Sequence, residues 1–274
     1  MNKSLVLGLP NGTVCHFTSP AMRIVGKYLR WEMFKRGQYR KPGFELNPDD
    51  IVVDVGANIG MFALWTHQQI PQGRLICIEP NPHALECLRM NLERNGLRRV
   101  SVVPAAIGAG SGTIELLCHP GWEAIAHSDR VKAPWFFNSS RVGRLARALL
   151  LRSGRHGRSE MTQTITVPML SLSQVLKREN VETVNFLKVD CEGAEFEMFR
   201  SLDENDWARI ERVVLEYHDF GPGRDHRELL DILRSHGFTA EVETTLLGKL
   251  YAFLGVKIGL IWAIRPGHGA AVPA

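Results

Sequence analysis

The sequence predicts an α/β fold, a largely parallel sheet covered on both faces by helices, and three observations predict it. Short β-branched runs alternate with longer helical patterns from residue 50 onward. The first strand pattern runs straight into a glycine turn, VDVGANIG at 53–60, and then into a helix. Hydrophobic residues make up 45% of the 274, enough for one large core.

Taken in chain order, residues 1–49 differ in composition, with Trp31, Phe34, Tyr39 and Phe44 set among basic residues. They read as an N-terminal cap on a main domain of residues 50–274, and Pro48-Asp49-Asp50 punctuates the boundary. Strands are expected at 51–55, 74–78, 100–103, 185–189, 213–217, 239–242 and 260–264. Helices are expected at about 59–69, 81–95, 171–179, 193–201 and 224–236, with Asn95-Gly96 and His236-Gly237 as stops. The last two strands follow one another without a helix, which predicts a terminal antiparallel strand.

An insertion at about 119–160 stands where a compact α/β domain needs only a short connection. It holds eight Lys/Arg against three Asp/Glu, a local excess of +5 in a chain whose net charge is +4. A total so balanced argues against nucleic acid as the partner. Cys15, Cys77, Cys87, Cys118 and Cys191 are widely spaced, with no CxxC pair or Cys/His cluster, which suits reduced thiols in a cytoplasmic protein. MNKSLVLGLPNG meets Pro10-Asn11-Gly12 too soon to suggest an export signal. The apolar run Leu246–Ile264 has the length of a membrane span, but Lys249 and Lys257 would each cost about 2.5 to 3.5 kcal/mol near a bilayer centre. A buried strand after an apolar loop is expected there instead.

The chemistry lies in three strand ends. In VDVGANIG an apolar strand reaches Asp54, turns through Gly56 and Gly60 and enters a helix near Ile59. Glycines let a ligand approach the backbone, and the following helix start offers unpaired N–H donors. The GxxxG spacing departs from the GxGxxG of pyrophosphate-bearing dinucleotides. In RLICIEPNP, Glu79 ends the next strand, 19 residues after Gly60. A carboxylate there can accept both hydroxyls of a ribose, each bond being worth roughly 1.5 to 3 kcal/mol; a solvent-facing strand-end Glu is the alternative. In NFLKVDCEGAEFEMF a strand ends at Asp190, where side chains project into the ligand crevice of parallel sheets. Glu192 and Glu195 equally suit the positive end of a helix dipole.

VDVGANIGMFAL, IEPNP, VPAAIG, LKVDCEGAE and VVLEYHD together resemble the FkbM family of S-adenosylmethionine-dependent methyltransferases, over about residues 50–117 and 165–240. The resemblance implies a seven-stranded Rossmann-like fold, S-adenosylmethionine as cofactor, and O-methylation of a hydroxyl on a natural product, sugar or lipid-linked glycan. It implies Asp54, Gly56, Asn58 and Gly60 around the methionine moiety, Glu79 on the ribose, Ala105 or Ala106 beside the adenine, and Asp190 facing the methyl-transfer centre. Cys191 stands where many relatives carry an apolar residue and is expected to be a buried small hydrophobe. The insertion departs from the family pattern and leaves the acceptor open.

An alcohol is a poor nucleophile while protonated, so a general base is expected, and Asp190 and His218 are the candidates. An unperturbed imidazole, with a pKa of about 6.5, suits proton acceptance at neutral pH; a strand-end histidine bonded to backbone is the alternative for His218. Asp190, Glu216 and His218 could hold a divalent ion, but no ligand spacing demands one. Glu32 and Tyr39 in WEMFKRGQY are candidates to close over the cofactor, although core packing explains Trp31 and Phe34 equally well. The insertion reads as a substrate lid, as a docking surface at 130–158 for an anionic membrane surface or carrier protein, or as a solvated basic face. Two competing functions share the nucleoside logic: a nicotinamide-dependent oxidoreductase and a non-catalytic nucleoside-binding protein.

Overall fold

The computed structural model describes residues 5–118, 126–128, 163–191, 193–219, 225–244 and 258–267. Most of the basic insertion, including Arg141 to Arg158 and WFF, and the apolar stretch 245–257 lie outside them. No helix of the described residues is long and apolar enough to cross a membrane.

The chain opens with an antiparallel hairpin, β1 (Leu5–Gly8) and β2 (Val14–Phe17), followed by helix α1 (Pro20–Arg30). Ser19 accepts from the Met22 N–H and Pro20 occupies the first turn, so the helix starts where its orphan donors are satisfied. A π-helical turn, Trp31–Arg36, continues it and stops at Gly37, whose φ of 67° is left-handed.

Next come β3 (Ile51–Val55), α2 (Met61–Thr66), β4 (Arg74–Ile78), α3 (Pro82–Arg94) and β5 (Val100–Val103), close to expectation. Helix α2 starts later than predicted because Asn58 (φ 50°) and Gly60 (φ 83°) are both left-handed and cannot belong to a right-handed helix. A small second sheet that the sequence reading did not anticipate follows. Its strands are β6 (Ala106–Ile107), β7 (Gly112–Cys118), β8 (Ala126–Ser128) and β9 (Gln163–Leu170), in the order β6-β9-β7-β8. Cys118 pairs with Gln163, so the long insertion leaves and returns at one point of this sheet.

The rest of the main sheet is β10 (Phe186–Val189), β11 (Arg212–His218), β12 (Thr239–Glu243) and β13 (Ile258–Ile264). They alternate with α4 (Leu172–Arg178), α5 (Glu195–Arg200), α6 (Glu204–Arg209) and α7 (His226–Ser235). Helix α6 was not expected; Asp203 starts it by accepting from the Asp206 N–H. The seven strands lie in the order β12-β13-β11-β10-β3-β4-β5. β13 runs antiparallel to both β11 and β12, and the other pairs are parallel. This is a Rossmann-like doubly wound sheet with the expected antiparallel final strand.

Both faces are buried, which explains the near-continuous apolar strands. Val53, Ile76, Leu187 and Val213 pack with Val175, Phe196 and Leu229 of the helices on one face. Val52, Leu75, Phe186 and Val214 pack on the other with Phe62 and Leu88 and with Phe17, Met22, Met33 and Phe44 of the N-terminal segment. At the amino ends of the strands the buried Arg212 pairs with Asp50 at 2.6 Å and donates to the Asn185 carbonyl at 2.9 Å and to the Glu45 carbonyl. One network thereby ties together the starts of β3, β10 and β11.

Candidate active site

The strand order reverses direction between β3 and β10, and ligands of open parallel sheets bind outside the carboxyl ends at such a point. Here the two strand ends almost touch. The Asp190 N–H donates to the Val55 carbonyl at 2.9 Å, extending the ladder by one rung. A Cβ at Gly56, whose φ is 78°, would lie 1.8 Å from the Asp190 carbonyl oxygen. No side chain fits there, so the glycine is required both by conformation and by the approach of β10.

The turn itself is closed by its own hydrogen bonds. Gly56 and Ala57 both donate to the Ile78 carbonyl at 3.0 Å, Asn58 to Glu79 Oε2 at 2.8 Å, Ile59 to Asn58 Oδ1 at 2.8 Å and Gly60 to Ala57 at 2.9 Å. The N–H groups of 56–60 are therefore engaged, whereas the helix start at which free donors are expected falls at Met61, after Gly60, and has no side-chain cap bond.

Glu79, 7% exposed at the end of β4, accepts from Asn58 N–H through one oxygen and from Asn81 N–H, at 2.8 Å, through the other. It ties the turn to the start of α3, where Asn81 is the N-cap. Burial pushes its carboxyl up to about 7, against the pull of these two N–H groups. Each oxygen keeps a further lone pair for a hydroxyl donor.

One row across the sheet reads Cys77, Asp54, Lys188, Val214 in register. Asp54 is fully buried and Lys188 is 4% exposed. The Lys188 ammonium lies 3.0 Å from Asp54 Oδ1, donates to the Gly56 carbonyl at 3.1 Å, and stands 3.8 Å from Asp190 Oδ2 and 5.9 Å from the Phe62 ring centre. Burial alone would lower the Lys188 pKa, but Asp54 and Asp190 outweigh it and hold the ammonium charged. Burial pushes the Asp54 carboxyl up and Lys188 pulls it back. Sequence reading missed Lys188, although a lysine inside an apolar strand that is buried on both faces signals a buried partner.

The N-terminal segment walls this face. Tyr39 is buried edge-on against Phe62, ring centres 5.2 Å apart. Burial raises its hydroxyl pKa well above the ordinary value, with Lys188 opposing and Asp190, Glu216 and Asp54 adding. Glu32, from the π-helical turn, accepts from the Tyr28 hydroxyl at 2.6 Å. Burial pushes the Glu32 carboxyl up, the Tyr28 bond pulls it down and Asp190 pushes it further up. Acidic groups thus dominate this crevice, with Lys188 set among them.

Ala105 and Ala106 are buried just beyond β5. Cys191 is half-buried, its thiol 3.6 Å from Glu195 Oε2, and burial raises its pKa well above the usual thiol value, as suits an inert sulfur. Glu195 is fully buried and also accepts from the Gly193 N–H at 2.7 Å, so it serves the start of its own helix. His218 is the last residue of β11, paired with Ile258; its side chain, like Glu192, lies outside the described residues. Among the described residues the grouping with metal-ligand potential is Asp219, Asp225 and His226. It is bonded internally: the His226 ring meets Asp219 at 2.9 Å and Arg227 engages Asp225 at 2.6 Å.

A family model described as Methyltransferase FkbM domain matches residues 54–240. The 31-O-demethyl-FK506 methyltransferase FkbM of Streptomyces tacrolimicus is 30% identical over 275 residues, covering 94% of this chain and 96% of that protein. The 2-O-methyltransferase NoeI of Sinorhizobium fredii is 24% identical over 202 residues, 71% of this chain and 75% of that protein. Among solved structures, methyltransferase FkbM from Methylobacillus flagellatus KT aligns with a TM-score of 0.48 at 11% identity, over 89% of this chain and 58% of that one.

Proposed function

The chain belongs to the FkbM family of methyltransferases, and from that premise we propose that it carries a methyl group from S-adenosylmethionine to a hydroxyl of a sugar, glycolipid or natural product. The observation that carries the reading is the acidic crevice at the strand switch point, where Asp54, Glu79 and Asp190 surround a glycine turn whose N–H groups are already bonded. A dinucleotide would bring an anionic pyrophosphate to a turn whose N–H groups at 56–60 are engaged and to carboxylates that repel it. S-adenosylmethionine has no phosphate, and its ammonium and sulfonium charges complement the acids. When bound, it supplies a methyl group on a positively charged sulfur, ready for displacement by oxygen.

The chain's own residues then divide the work. Glu79, fixed by two backbone N–H groups, accepts from the ribose hydroxyls. Gly56, Asn58 and Gly60 hold the left-handed turn beside the methionine end, the Cβ directions of the two glycines being filled by Asp190 and Leu88 and not by ligand; Asp54 offers negative charge there, and Ala105 and Ala106 form a small apolar wall for the adenine. Asp190, half-buried at the end of β10, faces the acceptor and takes its proton, with His218 at the end of β11 as the second base. Holding the acceptor oxygen in line with the methyl group supplies much of the rate. The relatives named for O-methylation of FK506 and for 2-O-methylation support a hydroxyl acceptor.

Titration with S-adenosylmethionine and with NAD, followed by turnover with methyl-labelled cofactor and fractionated hydroxyl compounds, tests this. Saturable binding of the first alone, with label retained through mild base as an ether, is the expected result. Binding of NAD alone, or label released by base as from an ester, would overturn the corresponding half of the reading.

A further inference from the structure

Asp54 has no contact with solvent, and among the described residues neither of its carboxylate oxygens accepts a well-directed hydrogen bond; Oδ1 has the Lys188 ammonium beside it and Oδ2 has no cation. A carboxylate oxygen so placed costs several kcal/mol unless a partner arrives. Among the described residues the cation beside Asp54 is Lys188, which lies 3.0 Å from Oδ1 and is itself anchored to the Gly56 carbonyl at 3.1 Å. The pair sits directly beneath the glycine turn. Lys188 is aligned opposite Asp54 by the β3–β10 register, so the strand pairing at the switch point sets the geometry.

Resting on the methyltransferase reading, we propose that Lys188 is a positioning residue for the methionine end of the cofactor: it keeps Asp54 ionised and turned so that Oδ2 accepts from the cofactor's α-ammonium. Lys188 acts through Asp54 and not by touching the ligand. Its ammonium donates to the Gly56 carbonyl, pairs by charge with Asp54 Oδ1 at 3.0 Å and stands 3.8 Å from Asp190. Among the described residues the titratable groups around the pair are Cys77 and Glu79 from β4 and its end, Asp190 beyond β10, and Tyr39 from the N-terminal segment. None of these is a cation, so removing Lys188 leaves a fully buried carboxylate that takes up a proton and becomes a poor acceptor for an ammonium.

The test compares two ligands, S-adenosylhomocysteine and 5′-methylthioadenosine, the second lacking both the ammonium and the carboxylate. Titrations use the wild type, Lys188→Met, Asp54→Asn, the double variant and Lys188→Arg. Loss of one hydrogen bond between charged groups predicts that S-adenosylhomocysteine binds roughly tenfold to a hundredfold more weakly to either single variant. 5′-Methylthioadenosine stays within about twofold of wild type, the double variant is no weaker than the singles, and Lys188→Arg recovers most of the loss. Equal loss for both ligands would mean a purely structural lysine and overturns the proposal. So do additive losses in the double variant, which would place Lys188 on the ligand directly, and so does unchanged binding. If Lys188→Met does not fold, the double variant, which strands no charge, decides together with Asp54→Asn and Lys188→Arg. A wild type that binds neither ligand refutes the methyltransferase reading itself; a wild type that binds both, with unselective variants, refutes only this inference.

Discussion

Glu79 shows how a single residue carries opposed demands. Burial favours its neutral form and two N–H groups favour the carboxylate, and burial prevails, with a pKa raised from 4.5 to about 7. Between those values the folded chain holds a proton that the unfolded chain has released. Stability therefore falls as pH rises from 4.5 to 7 and levels off above, by about 3 kcal/mol at most. Glu79→Gln does not titrate, so the melting-temperature difference between wild type and variant should shrink or reverse across that window; a difference independent of pH would contradict the assignment. Cofactor binding should strengthen over the same range, because ribose hydroxyls need the carboxylate as acceptor. The position of Glu79 was legible in sequence, since a strand ends there, but its ties to Asn58 and Asn81 were not.

At the scale of elements, strand and helix patterns from β3 onward were legible because periodic burial on both faces of a sheet leaves an apolar record. Helix α1 and the small sheet β6–β9 were missed, although Ser19-Pro20 is a helix-start signal and Ile165, Val167 and Met169 alternate as a half-buried strand does. Asn91 was missed for a different reason: on α3 it reads as an ordinary polar residue. Fully buried, it accepts from the His16 N–H at 2.7 Å and donates to the Ile59 carbonyl at 2.8 Å, so it binds the hairpin and the glycine turn to one helix. Asn91→Leu keeps the volume and strands both groups. We expect a loss of about 2 to 4 kcal/mol in urea unfolding, with weakened cofactor binding in the folded protein as the turn slackens. Unchanged unfolding would show that the clamp carries no stability.

The molecule as a whole separates stability from function along its strands. Carboxyl ends carry Asp54, Glu79 and Asp190, whereas the amino ends carry Asp50, Asn185 and Arg212 in a buried network. Removing one partner of a buried ion pair typically costs about 3 to 5 kcal/mol. Arg212→Met should therefore lower the denaturation midpoint strongly while leaving the cofactor dissociation constant of the folded fraction unchanged. A parallel loss of affinity would show that the two ends of the sheet are coupled.

Sequence by itself determined the α/β class, the glycine turn, the acids at the strand ends and the family, because each is written in a contiguous stretch whose backbone conformation and burial pattern depend on near neighbours. Only the tertiary structure decided that β3 lies beside β10. That pairing makes Gly56 obligatory against Asp190 and turns Lys188 from an anomaly in an apolar strand into the partner of Asp54, while the β3–β4 pairing closes the turn's N–H groups onto Ile78 and Glu79. Strand order arises from packing among segments more than a hundred residues apart, as Lys188 and Gly56 are, separated by 132 positions, and no local pattern encodes it.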